Sequence, residues 1–300
     1  MPLLVAEAAK LSQAMLERGI IEEIIDRDEL FALFPFMKVD GKSYAYNREN
    51  ALSEGSFLSP YETVPEGAAT FTEVSALLKI LAGDVDMDKF TIATQSDKND
   101  QLGIQLAAKA KGLARKFRRT LAIGDEGANS KEFSGVKVQT PAGQVLTAGA
   151  NGAAVTASML DELKDTVKNG ADVLMMRSGT WRAIRSILRT MGGNDATTIM
   201  LENFGRPVPA YDGTPVIIND FLPGDETMGS SSVTCSVYAL RLNEVDGFHG
   251  IYGGPSAGIV VENIGTIQTQ DAVRWRVKWY AGTALKATHA LARLKGLTNI

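Results

Sequence analysis

The chain has 300 residues, 45% of them hydrophobic, and a formal net charge of -4, enough apolar matter for an ordered core of one large or two medium domains. The acid excess argues against a protein that grips nucleic acid over its whole surface, a mode that needs clustered Lys and Arg. One cysteine, Cys235, excludes an intrachain disulfide framework and a cysteine-based zinc cluster, and neither a membrane-length apolar run nor a basic secretory start is present, so a cytoplasmic chain is expected.

In chain order, Leu4, Ala8, Leu11 and Met15 recur at helical spacing and Gly19 marks a stop. Ile21, Ile24, Ile25, Leu30, Phe31, Phe34 and Phe36 follow. They are too many large apolar groups for a terminal arm to hide against itself, so a partner surface on another copy is expected. Between Lys42 and Lys79 the pattern turns to period two at both ends, with Tyr44 and Tyr46 at one end and Phe71 to Ala76 at the other. Turn-forming residues lie between, which predicts a long hairpin with an irregular tip. Such a hairpin is marginal in water and must lie on something else. It is acidic: Glu49, Glu54, Glu62, Glu66 and Glu73 stand against Arg48 alone.

The clearest helix follows. Asn99 or Asp100 can cap it, and Leu102, Leu106, Ala110, Leu113, Phe117 and Leu121 form its apolar stripe up to Gly124. Lys111, Arg115, Arg118 and Arg119 form a second, cationic row. Beyond a loop-rich join at 141–152, a mixed α/β region is expected. Thr156 or Ser158 caps a helix that ends at Asn169-Gly170; Val173 to Met176 is a buried strand; Ser178 caps a helix with Trp181, Ile184, Ile187 and Leu188 inward and Arg182, Arg185 and Arg189 outward. Asp212-Gly213 joins two short strands, and Val233 to Leu240 is a strand that buries Cys235. In Val273 to Tyr280, Val and Trp alternate with Arg, Lys and Tyr, a half-buried strand whose cationic face is either simply wet or meets an acidic neighbour or DNA.

Motifs for chemistry fail on inspection. Gly41-Lys42-Ser43 lacks the glycine that a phosphate loop needs five residues earlier, where Phe36 stands. Gly253 to Gly258 is interrupted by Pro255 and reads as a turn; His249 and His289 have no metal-ligand spacing; Asp84, Asp86 and Asp88 lack the later residues of a calcium loop and read as an acidic turn before a helix. No catalytic residue, metal or cofactor is expected.

The order of features resembles the major capsid proteins of tailed bacteriophages, the Hong Kong 97-type fold. Lys111 to Asp125 followed by Phe133-Ser134-Gly135-Val136 is similar to that family's spine helix running into its glycine turn, and Asp212 to Asp220 to a strand of its axial domain. The resemblance implies a mixed α+β fold: N-terminal arm 1–37, extended loop 38–78, peripheral domain 79–136 and 262–283 with a spine helix at about 99–122, axial domain 137–261, and C-terminal segment 284–300. It implies self-assembly through pentamers and hexamers into an icosahedral shell in the virion, formed in the host cytoplasm, with a portal protein, packaged double-stranded DNA and, in some relatives, a decoration protein as partners. A separately supplied scaffolding protein is expected because the apolar arm begins almost at once. No Lys lies between Lys42 and Lys79, so the loop lacks the nucleophile with which some relatives cross-link, and a noncovalent shell is expected. Glu54, Glu62 and Glu66 of one copy are expected to approach Lys111, Arg115, Arg118 or Arg119 of another. Two other readings stand beside this one: an encapsulin-like compartment shell of the same fold, and a cytosolic α/β enzyme with a site that motif reading does not see.

Overall fold

The computed structural model describes residues 29–95, 101–190, 198–200, 207–254 and 257–298. The helix expected over Leu4 to Met15, the caps at Asn99 and Asp100, and Ile21, Ile24 and Ile25 lie outside them. In chain order the helices are α1 (Glu29–Leu33), α2 (Lys89–Gln95), α3 (Gln101–Ile123), α4 (Val136–Gln139), α5 (Ala157–Thr166) and α6 (Ser178–Thr190). The strands are β1 (Phe36–Lys38), β2 (Ser43–Ala51), β3 (Thr70–Leu77), β4 (Lys79–Asp88), β5 (Val145–Thr147), β6 (Val173–Met176), β7 (Thr198–Met200), β8 (Pro207–Tyr211), β9 (Thr214–Ile218), β10 (Glu226–Met228), β11 (Ser231–Leu240), β12 (Phe248–Tyr252), β13 (Val260–Thr266), β14 (Ala272–Leu285) and β15 (Leu291–Leu297). The architecture is mixed α+β, as expected.

Among the described residues three sheets organise it: a five-stranded one in the order β1-β12-β14-β13 with β4 also on β14, an eight-stranded one in the order β5-β15-β11-β6-β9-β8-β7 with β10 on β11, and the hairpin β2-β3. The stripe of α3 lies against the five-stranded sheet, and Leu106, Ala110, Leu113, Phe117 and Leu121 are all buried. Phe117 centres an aromatic cluster, its ring 4.5 Å from Trp279, 5.2 Å from Phe133, 5.6 Å from Phe31 and 6.0 Å from Phe36. The partner surface for part of the apolar arm is therefore this chain itself: Leu30, Phe31 and Phe34 are buried in the same core, and Phe36 packs against it. At the end of α3 the chain doubles back. Gly135 donates to the carbonyl of Gly124 at 2.8 Å, and a Cβ at either glycine would sit 2.4 to 2.5 Å from a backbone oxygen. Only glycine permits that approach.

The eight-stranded sheet has apolar residues on both faces. Along β6, Val173 and Met175 join the first core, while Leu174 and Met176 join a second one with Leu160, Leu163, Trp181 and Ile184. That two-sided burial explains an uninterrupted apolar run of four residues. Thr156 caps α5 by accepting from the Met159 amide. The Asp212-Gly213 turn has positive φ at both residues, 46° and 73°, as a two-residue hairpin requires.

Several expectations are corrected. Asp84, Asp86 and Asp88 stand on one side of a strand, β4, in register with β14, because Val85 and Met87 alternate with them; Asp88 alone meets the following helix, accepting from the Phe90 amide at 2.8 Å. The amino end of α6 is capped not by Ser178 but for it, by Asp220, which accepts from the Ser178 amide. The strand at 273–280 is not the last: β15 lies between β5 and β11. Its period-two pattern is broken where β11 shifts register between Cys235 and Ser236, opposite Gly296 at φ 84°, a bulge that hid the strand among small residues. β12 and β13 pair with β14 and not with the eight-stranded sheet.

Candidate assembly interface

The hairpin projects from the body and is clamped at its base. Tyr44, Tyr46 and Arg48 occupy alternate positions of β2 and are the half-buried ones, opposite Ala76, Val74 and Thr72 of β3. The Tyr46 hydroxyl donates to the carbonyl of Leu285 at 2.6 Å, and Arg48 donates through Nε to the carbonyl of Lys286 at 2.7 Å and through Nη2 to that of Leu285. Burial pushes the Tyr46 hydroxyl above its usual pKa. Beneath the clamp, His249 is fully buried with its ring 6.2 Å from that of Tyr44, and burial lowers its pKa. It is a packed histidine.

Beyond Ala51 the tip carries no strand until Thr70. Leu52, Phe57, Leu58, Tyr61, Val64 and Phe71 are exposed, Phe57 and Tyr61 at 107% and 106%, so these two rings touch nothing of their own chain. Ser59-Pro60-Tyr61-Glu62 forms a tight turn, with the Glu62 amide donating to the Ser59 carbonyl at 3.1 Å and the Ser59 amide to the Glu62 carboxylate at 2.8 Å. Tyr61 takes a φ of 74°, in the left-handed region that bulky residues avoid. A strained turn holding an aromatic ring in water is a feature of binding sites rather than of packing. Sequence reasoning fixed on the acids Glu54, Glu62 and Glu66 and passed over Phe57 and Tyr61; the signal was two aromatics set in a stretch rich in Ser, Gly and Pro.

The expected cationic row lies on α3, which contains no Asp or Glu. Lys111, Arg115 and Arg119 are exposed, with the Arg115 guanidinium 5.5 Å from the Phe221 ring. Arg118 differs: it is half-buried and donates to the carbonyl of Ile218 at 2.8 Å, so it braces its own chain. Among the described residues no ion pair joins Glu54, Glu62 or Glu66 to this row.

The cationic face of β14 is matched within the chain. Arg274 grips Asp86 with two hydrogen bonds of 2.7 Å, Arg276 grips Asp84 at 2.7 and 2.9 Å, and Lys278 pairs with Glu262. Hydrogen bonds from Arg276 and Arg274 hold the carboxyls of Asp84 and Asp86 below the ordinary range. Because the folded values are depressed, this stabilisation is present above the unfolded carboxylate pKa of about 4 and is lost as pH falls through the lower folded values. Asp84→Asn with Asp86→Asn is accordingly expected to flatten the decline of melting temperature in that acid window; an unchanged decline would show that the ladder does not couple to folding. Among the described residues no group of three or more His, Cys, Asp or Glu is placed to hold a metal, and no described helix is long and apolar enough to cross a membrane.

No protein-family model matches the sequence, and no curated protein matches it. Solved structures do. The SrpI encapsulin of Synechococcus elongatus aligns with a TM-score of 0.72 at 20% identity, covering 99% of this chain and 96% of that one. The capsid of a native GTA particle aligns at 0.66 and 14%, covering 99% and 95%, and a structure of Microbacterium phage Oxtober96 at 0.61 and 16%, covering 98% and 99%. The chain, then, has the Hong Kong 97-type capsid fold.

Proposed function

We propose that this chain is the subunit of a closed protein shell, the major capsid protein of a tailed bacteriophage, and that its work is assembly rather than catalysis. The observation that carries this reading is the hairpin tip: a chain with the fold of shell subunits also holds Phe57 and Tyr61 wholly in water. In such a shell the tip of one copy covers its neighbour within pentamers and hexamers. The five-stranded sheet with α3 forms the peripheral part of the subunit and most of the eight-stranded sheet the axial part. Phe57 and Tyr61 supply the anchors of the contact, and Glu54, Glu62 and Glu66 meet exposed cations of the neighbour, Lys111, Arg115 and Arg119 among them. Charge in that arrangement sets register and encounter rate more than affinity.

Electron microscopy of the purified protein tests the reading. Uniform hollow shells or capsomers are the expected result, and a small stable monomer or dimer at all concentrations would overturn it. Since no Lys lies between Lys42 and Lys79, denaturing gels of the particles should show single subunits and no ladder of linked ones. An encapsulin-like compartment is the second reading, favoured by the alignment at TM-score 0.72 and 20% identity. The contents of particles from the native host separate the two, being DNA for a capsid and a protein cargo for a compartment.

A further inference from the structure

Helix α6 presents Arg182, Arg185 and Arg189 to solvent while Trp181 and Ile184 bury its other side. The spacings of three and four put the three guanidinium groups in one row of about 10 Å, at 1.5 Å of rise per residue. The helix contains no Asp or Glu, and none of the three arginines pairs with an acid among the described residues. Lys111, Arg115 and Arg119 on α3 likewise have no carboxylate partner among the described residues, whereas Lys79, Lys89, Lys116, Lys164, Arg274 and Arg276 do. The acid nearest the start of the helix in the fold, Asp220, is already engaged on the Ser178 amide. Arg177, just before the helix, is turned away to the carbonyl of Leu222.

The exposed residues of α6 are Ser178, Arg182, Arg185, Ser186, Arg189 and Thr190, so this face offers no large apolar group. A protein partner requires a desolvated apolar or aromatic centre, which the hairpin tip has and this face lacks. A polyanion does not: arginine forks match phosphate oxygens without any apolar contact.

We infer that the α6 row is a surface for the phosphate backbone of double-stranded nucleic acid, bound without regard to sequence. This deepens the shell reading by naming where packaged DNA touches the subunit, and its test does not require that the chain assemble.

The full-length protein is titrated against a fluorescein-labelled duplex of about 30 base pairs between about 50 and 200 mM salt. The comparison is with Arg182→Gln/Arg185→Gln/Arg189→Gln and with the matching triple Lys variant. Three phosphate contacts contribute about 2.7 to the slope of log affinity against log salt. The Gln variant should lose that much slope, and the Lys variant should keep it. Equal slopes for wild type and the Gln variant would overturn the inference, as would a wild type that does not bind the duplex at the lowest salt. Displacement of the duplex by poly-glutamate as effectively as by unlabelled duplex would also overturn it, in favour of an acidic protein partner. A failure of shells to form, with the slopes behaving as stated, would count against the capsid reading alone.

Discussion

Replacing Phe57 and Tyr61 together by serine is expected to leave the melting temperature of the unassembled chain unchanged and to abolish particle formation at concentrations where the wild type assembles. Both rings are fully exposed, so no intrachain packing is lost, and Tyr61→Ser even relieves a bulky side chain at a φ of 74°. In an assembled shell the same rings are the largest apolar groups that the tip can bury. Interface anchors of this kind are worth about 2 kcal/mol or more each, and 1.4 kcal/mol is a factor of about ten. The double variant should therefore weaken each contact by roughly a thousandfold. Sedimentation velocity over a concentration series reads the effect directly. Assembly at the wild-type threshold would remove the tip from the interface. Glu54→Gln/Glu62→Gln/Glu66→Gln belongs to the same experiment and should act differently, slowing assembly at low salt and weakening its salt dependence while leaving the final yield close to wild type.

The fold was legible in the sequence wherever one period ran unbroken. The stripe from Leu102 to Leu121 marked α3, alternation at Tyr44 and Tyr46 and again through Phe71 to Ala76 marked the hairpin, and Val273 to Tyr280 marked the core of β14. The turn after α3 was legible only through its resemblance to a known family's glycine turn; the structure supplies the reason, since neither Gly124 nor Gly135 admits a Cβ. What escaped was whatever depends on distant partners. The acids of β4 look like a turn until Arg274 and Arg276 are seen opposite them. β15 looks like a tail until the bulge at Gly296 sets it beside β11.

The candidate interface was legible in part. The hairpin followed from length and pattern, and its acidity from composition. The exposure of Phe57 and Tyr61 did not, because an exposed aromatic and a buried one are written with the same letter; Phe31 and Phe57 differ only in what the fold brings to them. The apolar arm shows the converse error. Leu30, Phe31 and Phe34 were assigned to a neighbour, yet all three lie in their own chain's core, where Phe117 and Trp279 receive Phe31 and Phe248 receives Phe34. Arg118 likewise belongs to the helical row by spacing, but Ile218 claims it.

Phe117→Ala should be the most damaging single change to the fold itself. Its ring is fully buried and within 6.0 Å, centre to centre, of four others, which tie together the arm (Phe31, Phe36), the turn after α3 (Phe133) and β14 (Trp279). Removing a buried Phe costs about 3 to 5 kcal/mol when the site collapses only in part. Collapse is hindered here, because Gly124 and Gly135 lock the end of α3 against backbone oxygens and β14 is held by strands on both sides. Against a total of about 5 to 15 kcal/mol for a domain, the variant should be close to unfolded at 37 °C or fail to accumulate. Phe117→Leu, which keeps most of the volume, should retain the fold with a smaller loss and serves as the measurable case. Urea unfolding of the unassembled chain, followed by the fluorescence of Trp279 and its fellow tryptophans, gives the number. A loss for Phe117→Leu below about 0.5 kcal/mol, the scale of ordinary surface substitutions, would mean that the aromatic cluster does not bind arm, helix and sheet into one unit, and that the arm's docking on its own chain needs a neighbouring copy after all.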